Sequence, residues 1–209
     1  FGTSISRNDV FMSAPCITSD SLSDLHLNWV SPHDPGRSAA ESFIQQIYRN
    51  AFSASVETFS PLLVGFRDHV TDWTAVAGCR YACDGPLYLE RYLDEPIEVA
   101  LGYVVREPVL RKDIVEVGQL AAARVGDGRR LIGELRHSLA DQGYKWAVCT
   151  FTRELRRLFS QMGLTSTVLV AALSEKGIDT QNKWGEYYKH QPVVVAGRLD
   201  CSAFTESHG

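Results

Sequence analysis

The chain has 209 residues, of which 44% are hydrophobic and 22% charged, and its formal net charge is −4 at pH 7. These values are typical of a globular protein of one or two domains with a substantial core. Non-specific nucleic-acid binding needs an excess of Lys and Arg, so this acidic composition excludes it. No stretch approaches the roughly 18 uncharged apolar residues of a membrane span. The N-terminus lacks the basic and apolar regions of a signal peptide.

Five cysteines are scattered along the chain. Only Cys79 and Cys83 lie close together, and no second pair completes a zinc site. We therefore expect reduced thiols, no bound metal and a cytoplasmic location. The charge is uneven, because residues 122–160 contain eight Lys and Arg but only four Asp and Glu. This segment forms either solvated helix faces or a surface for phosphates or an acidic carrier protein.

The pattern of polar and apolar residues divides the chain into three parts. Residues 1–30 predict an N-terminal extension, residues 31–200 a single domain, and residues 201–209 a C-terminal tail. The domain begins with an amphipathic helix that ends near residue 51. Ser38 is its predicted N-cap and Glu41 the reciprocal capping residue.

Strands and helices then alternate along the domain. The predicted elements are a hairpin (61–66 and 73–81), a short element (87–92), a segment that is helical at first (96–105), a strand (114–121), a helix (128–142), a strand (146–151), a helix (152–162), a strand (167–173), a short helix (183–190) and a strand (192–199). Gly143 and Gly163 follow the two longer helices as C-cap glycines. This order predicts an α/β (mixed α+β) fold, with a twisted mixed sheet flanked by helices.

Two glycines, Gly126 and Gly128, separate an apolar strand from a helix. A tight turn there exposes consecutive backbone N–H groups, which form an anion site together with the helix dipole. The alternative is a simple turn. The residues predicted to bind the phosphate or pantetheine arm of a thioester donor are Leu120, Ala121, Arg124, Gly126, Gly128 and Arg129.

This segment resembles the GNAT superfamily of N-acetyltransferases, which holds the donor pyrophosphate with a Q/R-x-x-G-x-G/A turn. The matching residues run from Ala123 to Gly128, with both glycines present and Ala123 in place of the first polar residue. The superfamily also uses a tyrosine to protonate the departing thiolate, at a position where this chain has Phe159. Protonation of the leaving group therefore has to come from elsewhere or is unnecessary.

A closer resemblance covers about residues 32–199. The phrases PLYLERYLDEPIE (86–98), IVEVGQLAA (114–122) and WGEYYKHQPVVVAG (184–197) look like the bacterial thermostable hemolysin family. That family is distantly similar in fold to N-acyltransferases and acyl-homoserine-lactone synthases. The resemblance implies a donor site around the glycine turn, and it places Glu116 and Gln119 on the strand that faces the thioester.

Three residues are candidates for catalysis. Glu116 lies in an otherwise apolar strand, where burial raises the pKa of a carboxyl group and suits it to general-base work; the alternative is a solvent-facing or Arg-paired Glu. Tyr187 is a candidate proton donor to the leaving thiolate, or simply part of the cleft wall. Cys149 is either a nucleophile with His137 as its base or a small buried hydrophobe. The residues predicted to line the acyl or acceptor pocket are Gln119, Tyr88, Trp184 and Tyr188.

These residues predict an enzyme that transfers an acyl group from coenzyme A or a carrier-protein thioester to a small amine, in specialised metabolism. Backbone N–H groups near Leu120 and Ala121 would polarise the carbonyl. We expect no permanently bound cofactor and, as partners, a small-molecule amine and an acidic acyl carrier protein. One alternative is a thioester-binding or partner-binding module without catalysis. The other is a membrane-active hemolysin, which the lack of a spanning or basic amphipathic helix disfavours.

Overall fold

A seven-stranded mixed sheet with four helices organises the part of the chain that the computed structural model describes, residues 26–68, 72–173 and 183–199. The strands are β1 (Asn28–Val30), β2 (Leu62–Asp68), β3 (Asp72–Tyr81), β4 (Ile114–Ala122), β5 (Trp146–Phe151), β6 (Thr167–Ala171) and β7 (Val193–Arg198). The helices are α1 (Arg37–Phe52), α2 (Ile97–Val105), α3 (Val125–Asp141) and α4 (Arg153–Gln161). Two short 3-10 turns, Tyr88–Tyr92 and Tyr187–His190, also contribute to the site described below.

The strand order is β1-β2-β3-β4-β5-β7-β6, and among these described strands only the β4–β5 pair is parallel. Helices cover both faces, because the strands alternate apolar side chains between them. On one face Ile44 of α1 packs in a cluster with Val76 of β3. On the other face Leu131 and Leu135 of α3 pack with Ala75. This architecture confirms the predicted mixed sheet flanked by helices.

The two central strands separate soon after they meet. β4 pairs with β5 only over Ile114–Glu116, and beyond Glu116 it stays hydrogen-bonded to β3 while β5 stays with β7. A bulge follows in β4, where Gln119 and Leu120 lie opposite a single residue of β3. Gln119 has a φ of 51°, in the left-handed region that a side chain adopts at a cost. The result is a V-shaped opening between β4 and β5.

Most predicted elements lie within a few residues of the observed ones. The glycines after α3 and α4, Gly143 and Gly163, have φ values of 92° and 69°, which confirms their C-cap role. The strand predicted at 167–173 ends at Ala171, and β1 uses the last residues of the predicted N-terminal extension. Thr152, predicted as helical, is the N-cap of α4, since its side chain accepts a hydrogen bond from the backbone N of Leu155.

Two helix starts were predicted wrongly. α1 begins at Arg37 after Gly36, without a side-chain cap, so the predicted box between Ser38 and Glu41 is not formed. The Arg37 side chain instead binds the Glu41 carboxylate and the backbone carbonyl of Ser60, which holds the helix start in place. α3 begins three residues earlier than predicted, so both glycines lie inside its first turn.

Candidate functional site

A cleft of about 70 Å³ lies at the opening between β4 and β5. Arg80 and Glu116 stand side by side on its floor, because they are directly opposite on β3 and β4. Aromatic rings form its walls: the Trp184 ring lies 6.2 Å from that of Tyr88 and 5.3 Å from that of Tyr187. A carboxylate and a guanidinium therefore share an aromatic-walled space of small volume.

Glu116 is held by the protein backbone. It is 6% exposed, and its two carboxylate oxygens accept hydrogen bonds from the backbone N atoms of Tyr88 (2.7 Å) and Leu89 (3.0 Å). Burial raises the pKa of this carboxyl group from 4.5 to about 7, against the opposing effect of those N–H groups and of Arg80 and Arg91. The predicted raised pKa is thus present, and the group titrates near neutral pH.

Arg80 is a site residue that the sequence analysis missed. Its Nε atom lies 3.9 Å from an oxygen of Glu116, beyond hydrogen-bond distance, and this buried nitrogen has no hydrogen-bond partner among the described residues. The signal in the sequence is an arginine within the apolar strand Asp72–Tyr81. Its meaning depends on the β3–β4 register, which pairs it with Glu116 and which sequence patterns do not supply.

The floor of the cleft beside this pair carries no side chains. Gly78 of β3 lies opposite Gly118 of β4, two residues along from Arg80 and Glu116. A methyl group added to Gly118 would meet no atom within 4 Å, whereas one added to Gly78 would meet the Oγ atom of Ser60 at 2.6 Å. Gly118 therefore borders open space, while Gly78 lets a neighbouring segment pack closely.

Gln119, in the bulge of β4, binds the neighbouring segment at residues 58–60. Its side-chain oxygen accepts a hydrogen bond from the backbone N of Ser60 at 2.9 Å, and its side-chain nitrogen donates to the carbonyl of Thr58 at 2.8 Å. These contacts offset the strain of its left-handed backbone. Gln119 also lines the cleft, so its predicted contact with substrate stays a prediction.

The predicted tyrosines lie on the 3-10 turn before β7. Tyr187 is buried and donates a hydrogen bond to the carbonyl of Thr150 on β5 (3.4 Å); burial raises its pKa well above the ordinary value. The Tyr188 hydroxyl lies 3.0 Å from that of Tyr92. Gly185, with a φ of 52°, permits this placement, because any side chain there would collide with the carbonyl oxygen of Phe52.

Cys149 faces an apolar cluster that includes Phe151 and Phe159, whose rings lie 4.3 Å apart. Burial and the nearby charge of Glu116 raise the pKa of its thiol, so the thiolate is disfavoured. His137 is exposed on α3. This environment supports the buried-hydrophobe interpretation of Cys149 and offers no support for a nucleophile.

The glycine turn predicted to bind the thioester donor is the first turn of α3. The first hydrogen bond of the helix runs from the N of Gly128 to the carbonyl of Arg124 (3.2 Å), so three preceding N–H groups are unpaired within the helix. A methyl group on Gly126 would meet no atom within 4 Å. Arg124 and Arg129 are exposed, whereas Leu120 and Ala121 pack against the helices.

An acidic residue, Asp127, also lies in this turn. Its buried Oδ2 atom has no hydrogen-bond partner in the described ranges. Burial raises the pKa of this carboxyl group, while Arg124 and Arg130 lower it. The turn therefore combines donors suited to an anion with a negative charge that opposes one.

α3 and α4 each carry three of the eight Lys and Arg residues of the predicted basic segment. None of the residues of α4 is buried, and Arg153 and Arg157 are exposed. Arg129 of α3 reaches this helix through a hydrogen bond to Gln161 (3.0 Å). Across residues 26–68, 72–173 and 183–199, no helix is both long and apolar enough to cross a membrane. No three metal-binding side chains come together within those same ranges.

Solved structures with this fold include several acyl-transfer enzymes. The AHL synthase LasI matches with a TM-score of 0.57 at 10% identity, over 85% of this chain and 92% of its own. FeeM, an N-acyl amino acid synthase from uncultured soil microbes, matches with a TM-score of 0.56 at 12% identity, over 84% and 92%. BjaI, a CoA-dependent acyl-homoserine lactone synthase solved with SAM and isopentyl-CoA, matches with a TM-score of 0.54 at 11% identity, over 85% of both chains.

These TM-scores show a shared fold despite the low identities, and they confirm the predicted likeness in fold to acyltransferases and acyl-homoserine-lactone synthases. A comparison with curated protein sequences finds no match. The sequence profile described as Thermostable hemolysin matches residues 30–203, so the chain belongs to the thermostable hemolysin family.

Proposed function

We propose that this protein is an acyltransferase that moves an acyl group from a thioester to the amine of a small amino-carboxylate. The observation that carries the proposal is Glu116, a buried carboxylate with a pKa of about 7 on the floor of an open cleft between two separating strands. A group that titrates near neutral pH is matched to general-base work there.

The donor thioester would lie in the opening between β4 and β5, with its phosphate at the first turn of α3. Support comes from the N–H groups of that turn that have no partner within the helix, since a helix N-terminus favours anions. The bulge takes the backbone of Gln119 and Leu120 out of the regular β3 ladder. A backbone N–H released in this way is suited to polarising the thioester carbonyl.

The reaction forms one bond and breaks another. The acceptor nitrogen attacks the thioester carbonyl carbon, and Glu116 takes a proton from that nitrogen as the C–N bond forms. The C–S bond then breaks, and Tyr187 gives its proton to the departing thiolate. Water reprotonates Tyr187, and Glu116 releases its proton to solvent. The position of the Tyr187 hydroxyl at the β5 side of the opening supports this role. The proposal gives Cys149 no covalent role.

The acceptor class follows from the pair on the cleft floor. Arg80 presents a guanidinium beside Glu116, and guanidinium groups bind carboxylates in a forked geometry. An amino acid carries an amine and a carboxylate close together, as this pair requires, and FeeM is an N-acyl amino acid synthase. Tyr88 and Trp184 would contact the remainder of the acceptor.

The donor is carried by coenzyme A or by an acidic carrier protein. The exposed Arg153 and Arg157 favour the carrier, because complementary charge accelerates association. Charge reversal of both residues should slow the reaction with a carrier-bound donor by roughly tenfold. The reaction with acyl-CoA, which needs no docking surface, is the internal control.

The test is thiol release from a panel of acyl-CoAs and acyl-carrier proteins, supplied with a mixture of amino acids. Release should require an amino acid, and Glu116→Gln should lower kcat/KM by roughly 10²–10⁴-fold. Arg80→Met should raise KM for the amino acid much more than for an amine without a carboxylate. Full activity in Glu116→Gln would contradict the base assignment.

A non-catalytic thioester-binding module is a second candidate. It is favoured by Phe159, which packs against Phe151 where the GNAT superfamily has its proton-donating tyrosine. Donors that raise the melting temperature but release no thiol with any amine would select this function. Dye release from liposomes at low protein concentration would select membrane activity instead.

A further inference from the structure

Arg111 is the centre of a hydrogen-bond network in the part of the chain that connects β3 to β4. Its guanidinium donates to the carbonyls of Ala82 (2.7 Å) and Gly85 (2.8 Å), to both oxygens of Glu90 (2.6 and 3.0 Å) and to Glu98 (2.7 Å). All three of its nitrogens are therefore engaged. Only the planar fork of arginine can satisfy acceptors arranged in this way.

Glu90 extends the network to the backbone. One of its oxygens accepts a hydrogen bond from the N of Leu87 at 2.7 Å, and the other accepts one from the N of Ile97 at 3.0 Å. These contacts close the turn at 87–90 and attach it to the start of α2. Arg111 holds Glu90 in the orientation that both bonds need, so the shape of this turn depends on Arg111.

The same turn supplies the two N–H groups that bind Glu116. Tyr88 and Leu89 are consecutive, and each donates to a different oxygen of the carboxylate. Leu89 is fully buried, which fixes the turn against the core. Arg111 itself is not one of the described residues that line the cleft. Its effect on Glu116 therefore passes through Glu90 and the turn.

We propose that Arg111 is a positioning residue, which acts through Glu90 to hold the N–H groups of Tyr88 and Leu89 against Glu116 and so keeps this carboxylate oriented and ionised. The consequence for catalysis rests on the proposed function, but the effect on Glu116 does not. This role also explains why the sequence phrase at 86–98, which resembles the family, matters for the site: it contains Glu90 and the two residues, Tyr88 and Leu89, whose N–H groups bind Glu116.

Other charged and titratable groups also influence Glu116. Arg80 faces it from β3 and Arg91 from the turn, and both favour its ionised form. The thiols of Cys79 and Cys149 interact with it electrostatically from β3 and β5. None of these groups is removed by the substitutions below. Loss of the negative charge in Glu90→Gln would by itself lower the titration midpoint of Glu116, so a raised midpoint reports on the turn.

The test is a carboxyl-carbon NMR titration of protein labelled at its glutamates, with the Glu116 signal identified by its loss in Glu116→Gln. Arg111→Lys keeps the positive charge but loses the planar guanidinium group. Glu90→Gln replaces one of the two carboxylate oxygens that accept hydrogen bonds from Arg111 and the turn. Both should raise the titration midpoint by about one pH unit, since the ionised form loses donors. Glu98→Gln is the matched control, because it loses one Arg111 contact and none to the turn, and its midpoint should not move.

Turnover provides the second measurement. A midpoint raised from about 7 to about 8 lowers the ionised fraction, and hence kcat/KM, by roughly fivefold at pH 7 and much less at pH 9. A purely structural role would lower the melting temperature without moving the midpoint, and that result in folded Arg111→Lys overturns the proposal. If Arg111→Lys does not fold, Glu90→Gln decides. Unfolding of both variants would show a general scaffold and equally overturn it.

The two proposals fail in different ways. A shifted midpoint without any wild-type turnover would remove the acyltransferase proposal and leave the role of Arg111 intact. Normal wild-type turnover with an unchanged midpoint in the variants would remove the proposed role of Arg111 and leave the acyltransferase proposal intact.

Discussion

Glu116→Gln should change how the stability of this protein depends on pH. In the folded protein the carboxyl group has a pKa of about 7 instead of 4.5, chiefly because it is buried. Between those two values the folded state holds a proton that the unfolded state has lost. Stability from this group is therefore fully present below about pH 4.5, and it is lost as pH rises through about 7.

The size of the effect follows from the separation of the two values. Linkage predicts that the wild type loses about 2.5 kcal/mol of unfolding free energy from this group between pH 5 and pH 8. The glutamine variant cannot lose it, because its side chain does not titrate. That variant pays a cost of about 1–3 kcal/mol at every pH, since its amide group faces one of the two N–H donors that Glu116 satisfies.

Urea unfolding of both proteins at pH 5, 6, 7 and 8 measures this directly. The wild type should be the more stable protein at pH 5, and its advantage should shrink by about 2.5 kcal/mol on reaching pH 8. Contributions from all other titrating groups cancel in the difference. An advantage that stays constant, or grows with pH, would falsify the assignment of a raised pKa to Glu116.

Three further substitutions test the geometry of the site. Gly118→Ala, which places a methyl group in open space, should strongly lower thiol release while changing the free energy of unfolding by less than about 1 kcal/mol. Gly133→Ala, also in open space but on α3, is the control and should keep full activity. Gly185→Ala should destabilise the protein by at least about 2 kcal/mol in urea unfolding, because its φ of 52° and the adjacent carbonyl both oppose a side chain. Asp127→Asn removes a negative charge from the first turn of α3 and should tighten binding of a phosphate-bearing donor several-fold in calorimetry at low salt. Asp141→Asn, at the opposite end of the helix, is the control and should not change the affinity. An unchanged or weaker affinity in Asp127→Asn would place the phosphate elsewhere.

Local patterns in the sequence predicted the elements that surround the site. The apolar run at 146–151 matches β5 residue for residue, and the glycines after α3 and α4 mark their ends correctly. The α3 start was placed three residues too late, because two glycines have poor helix propensity. In the folded protein Gly128 lies close to Ala122: a Cβ atom added to Gly128 would be 3.2 Å from that of Ala122, tighter than an ordinary contact, so packing favours glycine there.

The contacts that define the chemistry join residues far apart in the chain. Glu116 receives its N–H donors from residues 27 and 28 positions away, and Gln119 binds Ser60 across 59 positions. Arg80 meets Glu116 only through the β3–β4 register, which a slip of one residue would reverse to the opposite face. The alternation of polar and apolar residues along a single strand does not indicate these partners.

From the sequence alone came the order of strands and helices, the family, the apolar setting of Glu116 and the two glycines near the start of α3. Hydrophobic period and turn chemistry act over a few residues, so a sequence displays them directly. Only the tertiary structure decided that β4 and β5 separate at Glu116, that Arg80 stands beside it, and that Arg111 and Glu90 shape its backbone donors. Those features depend on strand register and packing, which the whole chain settles together when it buries its core.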